Sequence, residues 1–494
     1  MPSQIIEKIN TIQQETASSF YFMQCINFLF LFSICCYFYS AKSILGSSTY
    51  TPDSWAYYEL SQTIFTENFY KFNTFRSYFS ETYSTSFPLG YPTLLAILHF
   101  FAGNDPLLSV SANSIAAVMT WIVIIKLAKA LHLTHLAGIT LATSLVLFPH
   151  YLDEVFSGRA IPVALLFFLL AALAHLSFKN FLSGLFLGLS ALTRFDYLAY
   201  SLILQFSIIF LNYKQGKKIL LLIPGFLVGL SPWIAYSEYY FGKFWISDNS
   251  WIALSATPAF VLDFPAKSAI SAIDNPTIWI KRILEGTPDL FHSIFFLSAP
   301  QFPIIFLLAI PFFHTLQKAE KVKISKIFFI LSIIIASTTP YLLTGYFDAR
   351  YFSLFLLCIS TLMVYSIETS IRTEMEKKLY KITLIIAIIL SIFFAFHYLS
   401  KKSWSSVTNT NKNKLTTQLI QQLKICHATA PERIYIFKDK YTNIAPQYGA
   451  LTGNKAAFIP SNFSKMNIKE KEQYFSYIAP YAIIDKNLET GKCP

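Results

Sequence analysis

Residues 87–101 read Phe87-Pro88-Leu89-Gly90-Tyr91-Pro92-Thr93-Leu94-Leu95-Ala96-Ile97-Leu98-His99-Phe100-Phe101. The stretch is apolar, yet it falls short of the roughly 20 residues that a helix needs to cross a bilayer upright. Pro88 and Pro92 stand at its start, where a fixed φ suits the opening of a helix better than its interior. Whether it spans decides the topology of everything after it. Basic clusters follow at Lys126 with Lys129, Lys179, Lys214 with Lys217 and Lys218, Lys318 through Lys326, and Arg372 through Lys381. They separate apolar segments near 106–125, 134–149, 160–177, 181–193, 196–212, 219–237, 291–312, 327–345, 351–368 and 382–399. Counting 87–101 as a span puts all these clusters outside the cell, and leaving it out puts them all inside. Lys and Arg collect in cytoplasmic loops, so 87–101 is predicted to be an interfacial or re-entrant helix.

Composition sets the class around that segment. Of 494 residues, 54% are hydrophobic, only 13% are charged, and Phe occurs 48 times. An average soluble domain carries about 25% charged residues. The mean hydropathy is +0.47, more apolar surface than a single soluble core hides. A disordered chain, a secreted disulfide scaffold and a nucleic-acid binder are excluded as readings of the whole chain. The formal charge of +12 follows from basic cytoplasmic loops and does not call for nucleic acid.

The apolar stretch from about Ser19 to Tyr39 has no small-residue cleavage pattern after it and reads as a signal anchor. The prediction is an all-α polytopic membrane protein with about eleven transmembrane helices, N-terminus inside and C-terminus outside. Residues 1–399 form the membrane domain. Its outer face gathers the loop 41–105 with juxtamembrane helices, the short loop 150–159 and the loop 242–290. Residues 400–494 form a small extracytoplasmic α/β domain: Leu415, Leu419, Leu423 and Cys426 recur at helical spacing, Arg433–Lys438 and Tyr481–Ile484 read as strands, and Asn454–Pro460 holds a third. Cys426 and Cys493 lie in this tail and would pair in an oxidising compartment.

Three groups of residues stand where the outer loops meet the membrane. In Thr51-Pro52-Asp53-Ser54-Trp55-Ala56-Tyr57, Thr51 suits a helix cap, Pro52 the first helical position, and Asp53 the first turn. Asp53 serves either chemistry or the helix dipole. In His150-Tyr151-Leu152-Asp153-Glu154-Val155-Phe156-Ser157-Gly158-Arg159, two adjacent carboxylates sit between apolar segments. They are either a solvated pair with Arg159 or functional, since charge near the membrane is costly. Arg194 and Arg350 each have an Asp two residues away; each either pairs with it or holds an anionic headgroup. There is no zinc motif, no Walker motif and no glycine-rich nucleotide loop.

Taken in order, these residues resemble the GT-C membrane glycosyltransferases, the group that includes the lipid A aminoarabinose transferases and the protein O-mannosyltransferases. Asp53 with Tyr57 is similar to the start of their first outer loop. Ser86–Leu95 resembles their Pro-Leu-x-x-Pro-Leu-Leu stretch, with Phe87 in place of one Pro. Gly184-Leu185-Phe186-Leu187-Gly188-Leu189-Ser190-Ala191-Leu192-Thr193-Arg194, Pro232-Trp233 with Tyr239–Gly242, and Ala349–Phe352 resemble later family elements. The segment around Ser237-Glu238 departs from the family pattern, and Asp153 and Glu154 both compete for its second acidic position. The resemblance implies transfer of a sugar from a polyprenyl-phosphate carrier to a hydroxyl of a lipid, glycan or protein acceptor, outside a bacterial plasma membrane. It implies Asp53 as general base, with Glu154 or Asp153 orienting the acceptor or assisting the base. It implies Arg194 and Arg350 at the phosphate, with Arg76 and Arg159 as further candidates, and Tyr57 and Tyr91 lining the sugar pocket. No cofactor is required, and a divalent metal is compatible but not demanded. Two alternatives are a flippase for lipid-linked substrates, which would carry mid-span charges and inverted repeats, and a non-catalytic membrane assembly protein.

Overall fold

A computed structural model of the chain describes residues 29, 31–45, 50–67, 69–71, 74–75, 83–211, 218–247, 277–316, 337–338, 349–371, 373–408, 418–421, 423, 434–437, 445–452, 454, 456–458, 467–469, 471–472 and 481–484. The helices are α1 (Leu31–Leu45), α2 (Pro52–Thr63), α3 (Gly90–Ala102), α4 (Leu108–Ala130), α5 (His135–Val146), α6 (Pro149–Phe156), α7 (Ile161–Leu176), α8 (Asn180–Thr193), α9 (Asp196–Leu211), α10 (Leu222–Phe241), α11 (Thr277–His292), α12 (Pro303–Leu316), α13 (Ser353–Ser370), α14 (Glu374–Thr408) and α15 (Ala445–Thr452). Four short strands, β1 (Thr74–Phe75), β2 (Ile434–Phe437), β3 (Ala456–Phe458) and β4 (Tyr481–Ile484), form one parallel sheet in the order β1-β3-β2-β4.

The chain is a multi-pass membrane protein. Among the described residues, four helices are long and apolar enough to cross a bilayer: Leu108–Ala130, Lys218–Phe241, Ser353–Ser370 and Glu374–Ser403. Burial shows which side faces lipid. On α14, Ile382, Ile385, Ile389, Phe393 and Phe396 are exposed, while Leu384, Ala387, Ile388 and Ala395 are buried. An apolar stripe left outside a packed core is what hydrocarbon, rather than water, solvates.

Several predicted boundaries change. The apolar segment 291–312 is not one helix: α11 runs into a π-helical turn at Ser293–Ser298 and a 3-10 turn at Ala299–Gln301 before α12 begins at Pro303. Pro300 and Pro303 bracket the break, because neither supplies a backbone N–H and each ring crowds the preceding turn. The short outer loop expected at 150–159 is mostly helix. Pro149 occupies the first position of α6, which leaves α5 at a 56° bend. Segment 87–101 appears as the thirteen-residue α3, with Ile97, Phe100 and Phe101 exposed. The segment 327–345 and both tail cysteines lie outside the described residues, apart from Ser337 and Thr338.

α8 and α10 meet backbone to backbone. Gly184 and Gly188 on one face Gly225 and Gly229 on the other, and a Cβ on Gly229 would lie 2.9 Å from the Cα of Gly188. Small residues permit this approach where no hydrophobic effect drives helices together in lipid. Gly229→Val is expected to force the pair apart and destabilise the fold by about 1–3 kcal/mol, read as a lowered melting temperature in detergent. Gly90 allows a similar approach of α3: a Cβ there would sit 2.7 Å from the Leu192 carbonyl oxygen. That contact sets α3 against the end of α8, one residue short of Thr193-Arg194.

The tail and the segment after α1 are joined. β1 comes from that segment and pairs with β3 through Thr74 opposite Ala456 and Phe75 opposite Ala457. α15 packs on α2. A second core of Ala56, Leu60, Tyr70, Leu89, Leu192, Phe195, Trp233 and Tyr236 ties the same segment to the ends of α8 and α10. Two hydrogen bonds fix it, Tyr236 OH to the Ser84 carbonyl at 2.8 Å and Tyr70 OH to the Phe87 carbonyl at 2.8 Å.

Candidate active site

The site grows from the N-terminus of α2. Thr51 caps the helix as its sequence suggests: Ser54 N donates to Thr51 Oγ1 at 3.4 Å, and Thr51 N donates to Ser54 Oγ at 3.0 Å. Pro52 occupies the first helical position, which puts Asp53 in the first turn. Asp53 is half-buried, and among the described residues it makes no hydrogen bond and no ion pair. One turn on, Tyr57 is buried, its ring edge-on to Phe87 at 4.8 Å and to Tyr91 at 5.0 Å. Burial holds the Tyr57 hydroxyl well above the ordinary phenol range, and Arg194, Asp53, Asp196 and Glu154 all act on it through space. Tyr57 is therefore a neutral hydroxyl at physiological pH, and it marks the point on which α2, α6 and the α8–α9 turn converge.

Tyr91 is fully buried. Its hydroxyl donates toward Asn113 Oδ1 and the Gly158 carbonyl, both at 3.1 Å. Asn113 in turn donates from Nδ2 to the Arg159 carbonyl at 2.8 Å. Tyr91 thus faces the interior and fastens α3 to α4 and to the turn after α6. Tyr91→Phe is expected to leave Asn113 Oδ1 and the Gly158 carbonyl short of a donor in a dry place. The cost is about 1–3 kcal/mol, measurable as a fall in melting temperature.

The other carboxylates are all engaged. Glu154 is fully buried and pairs with Arg159 Nη2 at 2.7 Å. Asp153 meets the same nitrogen at 3.2 Å, Lys402 Nζ at 2.7 Å, and the Tyr398 hydroxyl at 3.2 Å. Arg159 Nε donates to Ser157 Oγ at 2.8 Å. Two acids and two bases cancel within this cluster: both carboxylates share Arg159 Nη2, Ser157 takes its Nε, and Lys402 serves Asp153. Arg194 grips Asp196, Nε to Oδ1 at 2.9 Å and Nη2 to Oδ2 at 3.0 Å. Its guanidinium carbon lies 5.4 Å from the centre of the Tyr351 ring. Its Nη1 makes no hydrogen bond among the described residues, leaving one edge of the fork open. Arg350 lies in the 3-10 turn Ala349–Phe352 beside α6, and its side chain lies outside the described residues. Arg76 lies outside them altogether.

Among solved structures, the chain is similar to ArnT from Cupriavidus metallidurans bound to undecaprenyl phosphate, at 9% sequence identity and a TM-score of 0.56 over 94% of each chain. The chain has the GT-C fold. The archaeal oligosaccharyltransferase AglB from Archaeoglobus fulgidus, solved with an inhibitory peptide and a dolichol-phosphate, aligns at 10% identity and a TM-score of 0.47 over 86% of this chain and 64% of its own. No family model and no curated protein matches the sequence.

Placed in the GT-C fold, the described residues bring Asp53, Tyr57, Glu154 and Arg194 to one end of the helix bundle. No group of three or more His, Cys, Asp or Glu comes together there or elsewhere among the described residues to hold a metal ion. Asn113, Tyr398 and Lys402 belong to this end of the bundle, and the sequence reading passes over all three. Two of them carried a signal. Asn113 is a lone amide inside an apolar segment, which is costly without partners. Lys402 is a lysine at the end of a long apolar segment, far along the helix from the Lys377–Lys381 cluster, and it serves Asp153.

Proposed function

We propose that this chain is an integral-membrane inverting glycosyltransferase that moves a sugar from a polyprenyl-phosphate carrier to a hydroxyl on the extracytoplasmic face. The observation that carries the reading is the contrast among carboxylates at the site: Asp153, Glu154 and Asp196 are all held by cations, while the half-buried Asp53 is free among the described residues. A carboxylate without a structural partner is available to take a proton. The GT-C fold, shared with an ArnT crystallised on undecaprenyl phosphate, supports a lipid-phosphate donor.

In a single displacement, Asp53 accepts the acceptor's hydroxyl proton as the acceptor oxygen bonds the anomeric carbon. The bond from that carbon to the phosphate oxygen breaks on the opposite face, and polyprenyl phosphate leaves with the electron pair. The open edge of Arg194, with Arg350 and Arg76, would stabilise the charge that grows on the phosphate. The Asp153–Glu154–Arg159–Lys402 cluster holds α6 in place beneath the acceptor. No cofactor enters the step, and a divalent metal at the phosphate is compatible with it.

The topology that fits is about eleven spans with the N-terminus in the cytoplasm of a bacterium and residues 400–494 as an outer domain. The packing of α15 on α2 supports a tail that meets the acceptor. The test is transfer of labelled sugar from a panel of polyprenyl-phosphate donors in membranes containing the chain. Transfer from at least one donor, with the anomeric configuration inverted in the product, is the expected result. Retention of configuration would overturn the single displacement.

A further inference from the structure

The end of the bundle away from Asp53 has a cleft of its own. α14 fixes the separation, since Lys402 on it pairs with Asp153 and Tyr380 on it reaches the far cleft. At 1.5 Å per helical residue these two positions are about 33 Å apart, close to the roughly 30 Å of a hydrocarbon core. The cleft therefore opens at the opposite membrane face. Its volume is about 510 Å³, within the roughly 300–1,000 Å³ of small-molecule sites. Thr134, Leu136, Glu368, Lys377, Tyr380 and Lys381 are among the residues that line it.

The charges there are unevenly committed. Glu368 is spent on structure: it accepts from Thr134 N at 2.9 Å, from Thr134 Oγ1 at 2.5 Å and from the Tyr380 hydroxyl at 3.0 Å. It thereby closes the N-terminus of α5. Lys377 reaches only the exposed Glu374, at 2.6 Å, and Lys381 makes no ion pair among the described residues. Two ammonium groups thus face a cavity whose one carboxylate already has three donors. Directly beneath, an apolar cavity between α4, α7 and α13 is lined by Leu127, Leu176, Leu357 and Cys358, and Leu131 borders both cavities. A cationic mouth above an aliphatic slot, at a membrane face, matches a molecule with a phosphate at one end and hydrocarbon at the other.

We propose that this cleft binds the headgroup of one anionic phospholipid from the leaflet opposite the Asp53 site, with Lys377 and Lys381 on its phosphate and the start of an acyl chain beside Leu131. Basic pockets between membrane helices bind anionic lipid headgroups by this chemistry. The lipid would brace α5, α13 and α14 at the ends opposite to those that hold α6.

The experiment uses the purified full-length chain in detergent, titrated separately with phosphatidylglycerol, phosphatidylcholine and inorganic phosphate. Melting temperature and native mass spectrometry are the readouts. Phosphatidylglycerol is expected to raise the melting temperature, saturating at one tightly held lipid per chain, and phosphatidylcholine to leave it unchanged. Lys377→Gln with Lys381→Gln should weaken the phosphatidylglycerol dissociation constant about tenfold or more. Lys377→Arg with Lys381→Arg should keep it, as should Lys378→Gln, an exposed neighbour outside the cleft lining. Equal shifts with both lipids, or unchanged affinity in the double Gln variant, would overturn the site. The full shift with inorganic phosphate alone would overturn the lipid as its occupant. None of these outcomes depends on glycosyl transfer.

Discussion

Asp53→Asn is expected to lower sugar transfer about 100-fold or more, the span over which a positioned general base contributes, while leaving the fold intact. The swap keeps the shape of the side chain and removes its basicity. Stability should hold because Asp53 makes no ion pair or hydrogen bond among the described residues. What the charge gives the α2 dipole amounts to a few tenths of a kcal/mol, on the order expected of a first-turn acid. The measurement is the initial transfer rate at saturating donor beside a thermal melt of the same preparation. A variant that melts like the parent and transfers at the parent rate would reduce Asp53 to a helix-terminus charge and remove the proposed base. A variant that loses transfer and stability together would place Asp53 in the scaffold.

Arg159→Met is expected to produce the largest loss of stability at this end of the bundle, about 3–5 kcal/mol, the usual cost of stranding a buried charge. The reason lies in the partner. The Glu154 side chain has no exposure and the Arg159 side chain 5%, so no water replaces the guanidinium once it is gone. Adding Glu154→Gln to Arg159→Met should restore most of the loss, because the stranded charge disappears with its partner. Lys402→Met should cost much less. Asp153 is 31% exposed, keeps Arg159 and Tyr398, and sits in a setting where single pairs contribute about 0–1 kcal/mol. Melting temperatures of the two single variants and the Glu154→Gln/Arg159→Met double variant complete the comparison. An Arg159→Met chain as stable as the parent would overturn the buried Arg159–Glu154 pair as a source of stability.

Much of the scaffold is legible residue by residue. Strand β4 occupies the residues read as Tyr481–Ile484, and α9 covers all but the last residue of the segment read as 196–212. The cap and first turn of α2 follow from Thr51-Pro52-Asp53. These features are local: they depend on a cap, a proline, an alternation or an apolar run within one turn or one strand. The break in 291–312 was legible too, in Pro300 and Pro303, but hydropathy averages over both and hides it.

The candidate site is legible only as a set of residues, not as an arrangement. Sequence places Asp153 and Glu154 side by side and leaves open which is exposed. The structure separates them, because adjacent positions on α6 point apart: Glu154 into the core and Asp153 toward Tyr398 and Lys402. The glycines of 184–188 read as part of a family run, whereas the structure gives them a physical task, the close approach of α8 to α10.

What the sequence determined by itself is the class, the membrane setting, a short apolar helix at 87–101 and the set of charged residues that meets at one end of the bundle. All of these follow from hydropathy, charge position and local chain stiffness, which act over a few residues. Only the tertiary structure decided that Asp53 stays free among the described residues while Asp153, Glu154 and Asp196 are neutralised. Only it showed that Tyr91 is a buried fastener, and that the tail reaches back through β3 and α15 to β1 and α2. The Tyr91 and tail outcomes depend on contacts between residues tens to hundreds of positions apart, whereas Arg159 and Arg194 lie only two to six positions from the carboxylates they hold and Lys402 comes from far along the chain. Whether a neighbouring arginine closes on its carboxylate, and whether a distant lysine joins it, is set by the packing around the pair.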